Sequence, residues 1–458
     1  MNAPAVLLIL AGLLGVASFL ARRRALMSSL IAGVGAALLG ALALWVSLDE
    51  PIHWLGGSLK VSGSWTVLGR AFVLDDGNRA AVSFIFLVGA FLLTASWAAR
   101  AVAYLPSFGL LMIASVAASL MIRPFLYAAP LLETAAVGGC LLLVGERPQS
   151  HRAGLRLLTF YTVAMMALLL TGWMLGSAGV TSATELQAER VFLLLAIGLA
   201  VLLVVPPFHS WLSAGAQASD PYTLAFVLIV LQSAGLFLFL GFLDSYTWLR
   251  ESVELADRLR WAGLATVVFG TLWAASQRES ARWMAYAIIA DVGVTLLLLG
   301  HLTAPAYQIA LGMAGSRAVG LAVWALGESN LGPSVGRAGE RSERRWASLA
   351  SLAGASSVAG APLTAGFPGR WAALGLLARN DVWASACVVA SILVLIASIG
   401  RRWTPDGRAT EAETMPAPTG RRFLLIAGVL LVVGLGVFPQ LLFPWVIRAA
   451  QGLHNLIP

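Results

Sequence analysis

The sequence predicts an all-α polytopic membrane protein with about fourteen transmembrane helices, and three observations carry that reading. The first is composition. Hydrophobic residues make up 59% of the 458 and charged residues 11%, against about 25% charged in a soluble domain; mean hydropathy is +0.84. The second is the recurrence of apolar runs, for example residues 81–97, 191–205, 222–242 and 423–437. A span needs about 20 apolar residues, with a range of about 17–25. The third is the absence of alternating strand patterns, which leaves helices as the way to satisfy backbone groups in lipid.

The first span, residues 4–20, has no basic residue before it and Arg22, Arg23 and Arg24 after it. A cleaved leader shows the reverse order, so this helix is expected to be retained with its N-terminus outside. Further along, one set of loops carries Arg100, Arg147, Arg152, Arg156, Arg278, Arg282, Arg344, Arg345, Arg401 and Arg422. The alternate set is poorer in arginine and contains Lys60, the only lysine. The positive-inside rule places the first set in the cytoplasm and both termini outside, as an even number of spans requires. The localisation expected is the cell's inner (plasma) membrane, multi-pass. The net charge of +8 is spread over these loops and does not point to nucleic acid.

No stretch reads as a soluble domain. Residues 49–79, 327–345 and 401–422 are short polar segments suited to loops or interfacial helices. Of these, 401–422 is rich in proline, threonine and charge, as a flexible cytoplasmic linker would be. Residues 245–260 mix charge and apolar positions at helical spacing, which suits a surface helix on the outer side. Cys140 and Cys387 lie in apolar runs and have no spacing for a metal or a disulfide; they read as small core residues.

Two spans are broken alike. One, residues 191–211, is interrupted by Pro206 and Pro207; the other, residues 347–371, by Pro362 and Pro368. They are the seventh and twelfth spans, and an odd offset of five makes them point opposite ways across the membrane. Broken helices at matching places in inverted halves point to a transport site, although proline kinks are common in membrane helices.

An ionisable residue within a span costs about 2.5–3.5 kcal/mol on insertion scales, so each one needs a reason. Glu133 lies near the middle of its run with no basic neighbour in sequence. Asp291 and Arg317 lie in two later spans and are candidates for a structural pair. His209 and Arg370 follow the two breaks. His209 is placed to satisfy carbonyls that the prolines free, and Arg370 is alternatively an interfacial residue. Chains of such groups relay protons in membrane proteins. A guanidinium takes part only as an electrostatic partner, because it keeps its proton.

Four segments then resemble the antiporter-like membrane subunits shared by complex I (NADH:quinone oxidoreductase), membrane-bound hydrogenases and multisubunit cation/proton antiporters. They are PLLETAAVG, PFHSWLSAGAQASDP, ESARWMAYAIIADVG and SSVAGAPLTAGFPGRW, in the family's order, and the ending GVLLVVGLGVFPQLL is similar to its last span. Together they cover about residues 71–442. The resemblance implies two inverted five-helix repeats, each with a broken helix, and protons moving along a central polar axis. It divides the chain into N-terminal helices (1–104), a first repeat (105–243), a second repeat (244–400), and a linker with a last helix (401–458). It also matches Glu133 to the acid of the fifth span, Arg370 to the basic residue at the twelfth-span break, and Arg156 to a basic residue opening the sixth span. The departures are specific. Leu202 stands where the seventh-span lysine is expected, Val227 or Gln232 at the eighth-span histidine or lysine, and Val319 or Arg317 at the eleventh-span lysine.

The function expected is a proton- or cation-translocating subunit of an NADH:quinone oxidoreductase-like or antiporter-like complex, with a partly degenerate ion path. No catalytic centre and no cofactor are expected on this chain: two scattered cysteines cannot hold a cluster that takes four. Partners would be other membrane and peripheral subunits of a redox or antiporter complex, and the lipid bilayer. The alternatives are the membrane half of an inorganic-carbon uptake pair, a non-conducting scaffold, and, least supported, an intramembrane enzyme. For the last, His53, His151 and His454 lie near span ends or in loops.

Overall fold

The structure is a computed structural model. It describes residues 2–48, 51–54, 57–124, 127–144, 148–178, 185–331, 341–401, 419–441, 443–453 and 455–456. Two apolar helices open the chain, α1 (Ala3–Leu20) and α2 (Ala25–Trp45). The polar segment that follows forms short strands rather than a loop or interfacial helix. The strands are β1 (Pro51–Trp54) paired with β2 (Gly57–Lys60), and β3 (Ser64–Val67) paired with β4 (Arg70–Val73). A two-residue strand, β5 (Ile122–Arg123), extends the second ladder from the far end of a later helix. These hairpins lie between helices; every long apolar segment is helical.

The helices continue as α3 (Arg79–Ala95), α4 (Leu105–Met121), α5 (Ala128–Leu143), α6 (Pro148–Ala178) and α7 (Glu185–Leu202). Then come α8 (Ser210–Ala218), α9 (Pro221–Ser245) and the single turn α10 (Thr247–Arg250). The segment expected as a surface helix divides here, because α11 (Val253–Ser276) takes its second half into a long helix. Ser252 caps that helix by accepting from the Leu255 amide. Next are α12 (Ser280–Leu299), α13 (Ala304–Leu331), α14 (Arg341–Ala359), α15 (Gly366–Asn380) and α16 (Val382–Gly400). After α17 (Thr419–Val437) and a tight turn at Pro439–Leu441, a short helix α18 (Phe443–Gln451) follows the expected last span. Most of the expected linker, residues 402–418, and His454 lie outside the described residues; Arg421 and Arg422 belong to α17.

Eight of these helices are long and apolar enough to cross a membrane among the described residues, and α3, α4 and α5 are shorter apolar helices. The chain is a multi-pass membrane protein. Burial sorts the long helices. The most apolar window of α9 is 94% buried, that of α12 89% and that of α13 83%, whereas α1 and α17 reach only 33% and 22%. The central helices are buried nearly all round, as helices enclosed by protein are; the peripheral ones leave Leu13, Val16, Leu20 and Leu430 exposed. Small residues set the closest approaches. A Cβ on Gly270 would come within 2.4 Å of the Ala290 amide, and one on Gly354 within 2.3 Å of the Trp324 amide. These contacts press α11 onto α12 and α14 onto α13, as small residues allow in lipid.

Candidate ion-path site

Each break leaves a specific carbonyl without its helical donor. In a helix the carbonyl of residue i accepts from the amide of i+4, and proline has none. Pro362 therefore orphans the carbonyl of Val358, and Pro207 that of Leu203. The structure serves both from other segments. Arg370 Nη2 donates to the Val358 carbonyl at 2.5 Å. Gln232 Nε2, on α9, donates to the Leu203 carbonyl at 3.4 Å. His209 was expected to serve the first break; it heads α8 without a side-chain cap. Its Nδ1 is buried and lacks a hydrogen-bond partner among the described residues. Its ring packs edge-on to Phe269 at 5.0 Å and lies 5.9 Å from Tyr286.

The second break is built for Arg370. Gly360 turns the chain with φ of +80°, a conformation that glycine adopts without steric cost. A Cβ there would stand 2.2 Å from Arg370 Cδ. Beyond it, Thr364 Oγ1 donates to the Ala361 carbonyl at 2.6 Å, and Ser357 Oγ accepts from the Gly366 amide at 3.1 Å. The second half-helix thus restarts against the end of the first, and Arg370 points back along the break.

There it meets Asp291. Arg370 Nη2 donates to Asp291 Oδ1 at 2.8 Å, and Arg317 Nε donates to Asp291 Oδ2. Arg317 Nη2 also donates to Thr295 Oγ1 at 2.6 Å. The side chains of Arg370, Asp291 and Arg317 are 2%, 5% and 8% exposed, so the interfacial reading of Arg370 does not hold. Three helices, α12, α13 and α15, are tied by one carboxylate between two guanidiniums. The group carries a net charge of +1, and Arg370 Nη1 is buried without a hydrogen-bond partner among the described residues. Of its members, only Asp291 can exchange a proton, since arginine keeps its own.

The other candidates lie apart from this triad. Glu133 sits in the second turn of α5 rather than at its middle. Its Oε1 accepts from Thr162 Oγ1 at 2.6 Å, while its Oε2 and the nearby Tyr161 hydroxyl are buried without hydrogen-bond partners among the described residues. Glu133 makes no ion pair among the described residues. Leu202 ends α7 fully buried, and a Cβ on Gly235 would lie 2.8 Å from its Cβ. Arg156 is exposed near the start of α6 and lines a cleft with Arg152.

One carboxylate escaped the sequence reading. Glu328 Oε1 accepts from Ser280 Oγ at 2.7 Å and Ser351 Oγ at 2.8 Å, and Trp324 Nε1 donates to Ser280 Oγ at 3.2 Å. It ties α12, α13 and α14 about three turns from Arg317. Its neighbour Ser329 donates to Asp220 Oδ1 at 3.2 Å, and Asn330 Nδ2 to the Ala98 carbonyl at 3.2 Å. The signal was the polar run Glu328, Ser329, Asn330, which the sequence assigned to a loop or an interfacial helix. The run instead finishes α13.

A bundle with buried central helices, two broken helices and a buried Arg–Asp–Arg cluster defines the class as a multi-pass helical membrane protein. Residues 132–315 match the profile of the family described as "NADH:quinone oxidoreductase/Mrp antiporter, TM". NADH-quinone oxidoreductase subunit 14 of Thermus thermophilus is 27% identical over 256 residues, covering 55% of this chain and 57% of the relative. Subunit N of the same enzyme from Gemmatimonas aurantiaca is 25% identical over 445 residues, covering 87% and 82%. In fold, a chain of the archaeal membrane-bound sulfane sulfur reductase superposes with a TM-score of 0.80 at 17% identity, covering 99% of this chain and 98% of that one. A chain of the Mrp complex from Dietzia gives 0.77 at 17% identity, with 100% of both covered. The chain is thus similar in sequence, through residues 132–315 and these relatives, and in fold along its length, to the antiporter-like membrane subunits of complex I and Mrp-type complexes.

Proposed function

We propose that the chain is the proton- or cation-translocating membrane subunit of a larger redox-driven or antiporter assembly, working through a rearranged ion path. The observation that carries this reading is the triad at the second break. A lone proton-exchanging carboxylate, Asp291, joins three helices, and one of its partners, Arg370, also holds the free end of a broken helix. A change in the charge of Asp291 would therefore release or recapture Arg370 and move the break, which couples protonation to helix position. In this reading the fourteen spans form two inverted repeats, residues 105–243 and 244–400, with both termini outside the plasma membrane. Glu133, His209 and Gln232 line the first half, and Asp291, Arg317 and Arg370 the second.

Leu202 supports a second reading, a subunit that anchors its complex without conducting. Its side chain fills the space that a seventh-span lysine would need, and Glu133 is left with a hydroxyl as partner. Proton uptake into proteoliposomes separates the two. Conduction predicts uptake by the wild type that Asp291→Asn abolishes and Glu133→Gln reduces; uptake at the rate of empty vesicles would leave the anchoring role. Extraction from native membranes tests the assembly. Copurifying redox or antiporter subunits are expected, and a chain that emerges alone and monodisperse would defeat the subunit reading.

A further inference from the structure

Helix α6 carries a basic feature that lies apart from the Arg370–Asp291–Arg317 triad. Arg152 and Arg156, one turn apart, are exposed and share a cleft of about 260 Å3 with Ser213, Ala214 and Gln217 of α8. Like charges at this spacing repel. Among the described residues neither guanidinium forms an ion pair or a hydrogen bond. Ser213 Oγ is spent on the Ser210 carbonyl at 3.1 Å, whereas the exposed Gln217 amide is free to donate. The cleft thus offers two guanidiniums and an amide, the donor set that suits phosphate oxygens.

What lies beside the cleft indicates the source of the phosphate. Along the same side of α6, Leu155, Val163, Met166, Leu170 and Trp173 are 60%, 49%, 59%, 47% and 67% exposed. At 100° per residue these positions fall on one stripe with Arg152 and Arg156. The stripe continues from the arginines along the candidate span, residues 150–175. A cationic cleft at the end of an apolar stripe fits a headgroup continued by acyl chains.

We propose that Arg152, Arg156 and Gln217 bind the phosphate of an anionic phospholipid whose chains lie along the α6 stripe. The lipid bridges α6 to α8, the half-helix that follows the first break, and so holds that half-helix in register. This assignment is independent of the ion-path reading.

The test is lipid retention by the protein complex extracted in mild detergent, stripped, and reloaded from phosphatidylcholine vesicles containing phosphatidylglycerol. Retained lipid is counted by native mass spectrometry. Each arginine is expected to contribute about fivefold, so the wild type should prefer phosphatidylglycerol by about 25-fold. The double variant Arg152→Gln/Arg156→Gln should lose that preference. A control, Arg22→Gln/Arg23→Gln, should keep it and shows whether any loss of surface charge has the same effect. Equal retention of the two lipids by the wild type, unchanged retention by the double variant, or an equal loss in the control overturns the proposal. Excess inorganic phosphate should leave the lipid bound; its complete displacement would reassign the cleft to free anions. Loss of a copurifying subunit with lipid unchanged would reassign it to a protein partner.

Discussion

Arg370 Nη2 lies 2.8 Å from Asp291 Oδ1, although 79 positions separate the two in sequence. The same nitrogen holds the carbonyl that Pro362 strands. One side chain therefore neutralises a buried carboxylate and completes a broken helix. Removing the carboxylate would leave two guanidiniums facing each other in the bundle. Asp291→Asn is expected to cost about 3–5 kcal/mol, the usual effect of breaking a buried ion pair. Thermal unfolding in detergent measures it, and a midpoint equal to that of the wild type would mean that the pair does not hold the helices together.

Gly360 is predicted to be intolerant of the smallest side chain. Alanine there has to hold φ at +80° and place its methyl 2.2 Å from Arg370 Cδ. A non-glycine residue in such a conformation costs about 1–3 kcal/mol, and displacement of Arg370 adds to it. Gly360→Ala should therefore lower the unfolding midpoint and also slow any proton uptake that depends on Asp291. An alanine elsewhere, at Gly375, where no atom lies within 4 Å, should do neither.

Leu202→Lys tests whether the first half of the path awaits only its missing cation. The site is closed by Gly235, and an ammonium without a partner is costly to bury. The variant should express poorly or melt earlier, with no gain in proton uptake. A stable variant with faster uptake would show that the path survives around Leu202.

Asp220 joins two parts of the bundle through one carboxylate. Oδ2 accepts from the Thr223 amide at 2.9 Å and caps α9, while Oδ1 accepts from Ser329 of α13. Asp220→Ala should cost about 1–2 kcal/mol from the cap, with more from the lost cross-link. Asn, which can also cap, should recover most of the loss in the same melting assay.

His301, in the turn between α12 and α13, supplies a pH dependence. Burial first, and then the guanidinium of Arg260, hold its pKa below the ordinary 6.5, with Asp381 opposing. The unfolded chain thus binds the proton more readily than the folded one. Stability tied to the neutral ring is complete above about pH 6.5 and falls as pH drops through the ordinary value toward the lowered one. Melting curves across that window should show the loss, and His301→Gln should flatten it.

Much of this architecture was legible in the sequence. The apolar runs announced helices in lipid, because an unsatisfied backbone there is too costly to tolerate. Pro206, Pro207 and Pro362 marked the breaks, because proline removes a donor wherever it stands. The strands at 51–73 were not legible, because a short hairpin between helices is set by its pairing rather than by a long periodic pattern. Glu328 was missed because its serine partners are 48 and 23 positions away.

The sequence by itself determined that this is a multi-pass helical membrane protein, which spans are interrupted, and that Asp291, Arg317 and Arg370 each required a reason to be buried. Only the tertiary structure decided that the three supply that reason to one another, that Gln232 serves the Leu203 carbonyl at the first break, and that Leu202 is enclosed. A buried charge reveals its cost in one dimension, since lipid penalises it wherever it falls. Its partner is fixed by which helix faces meet, and that depends on packing among segments far apart in the chain.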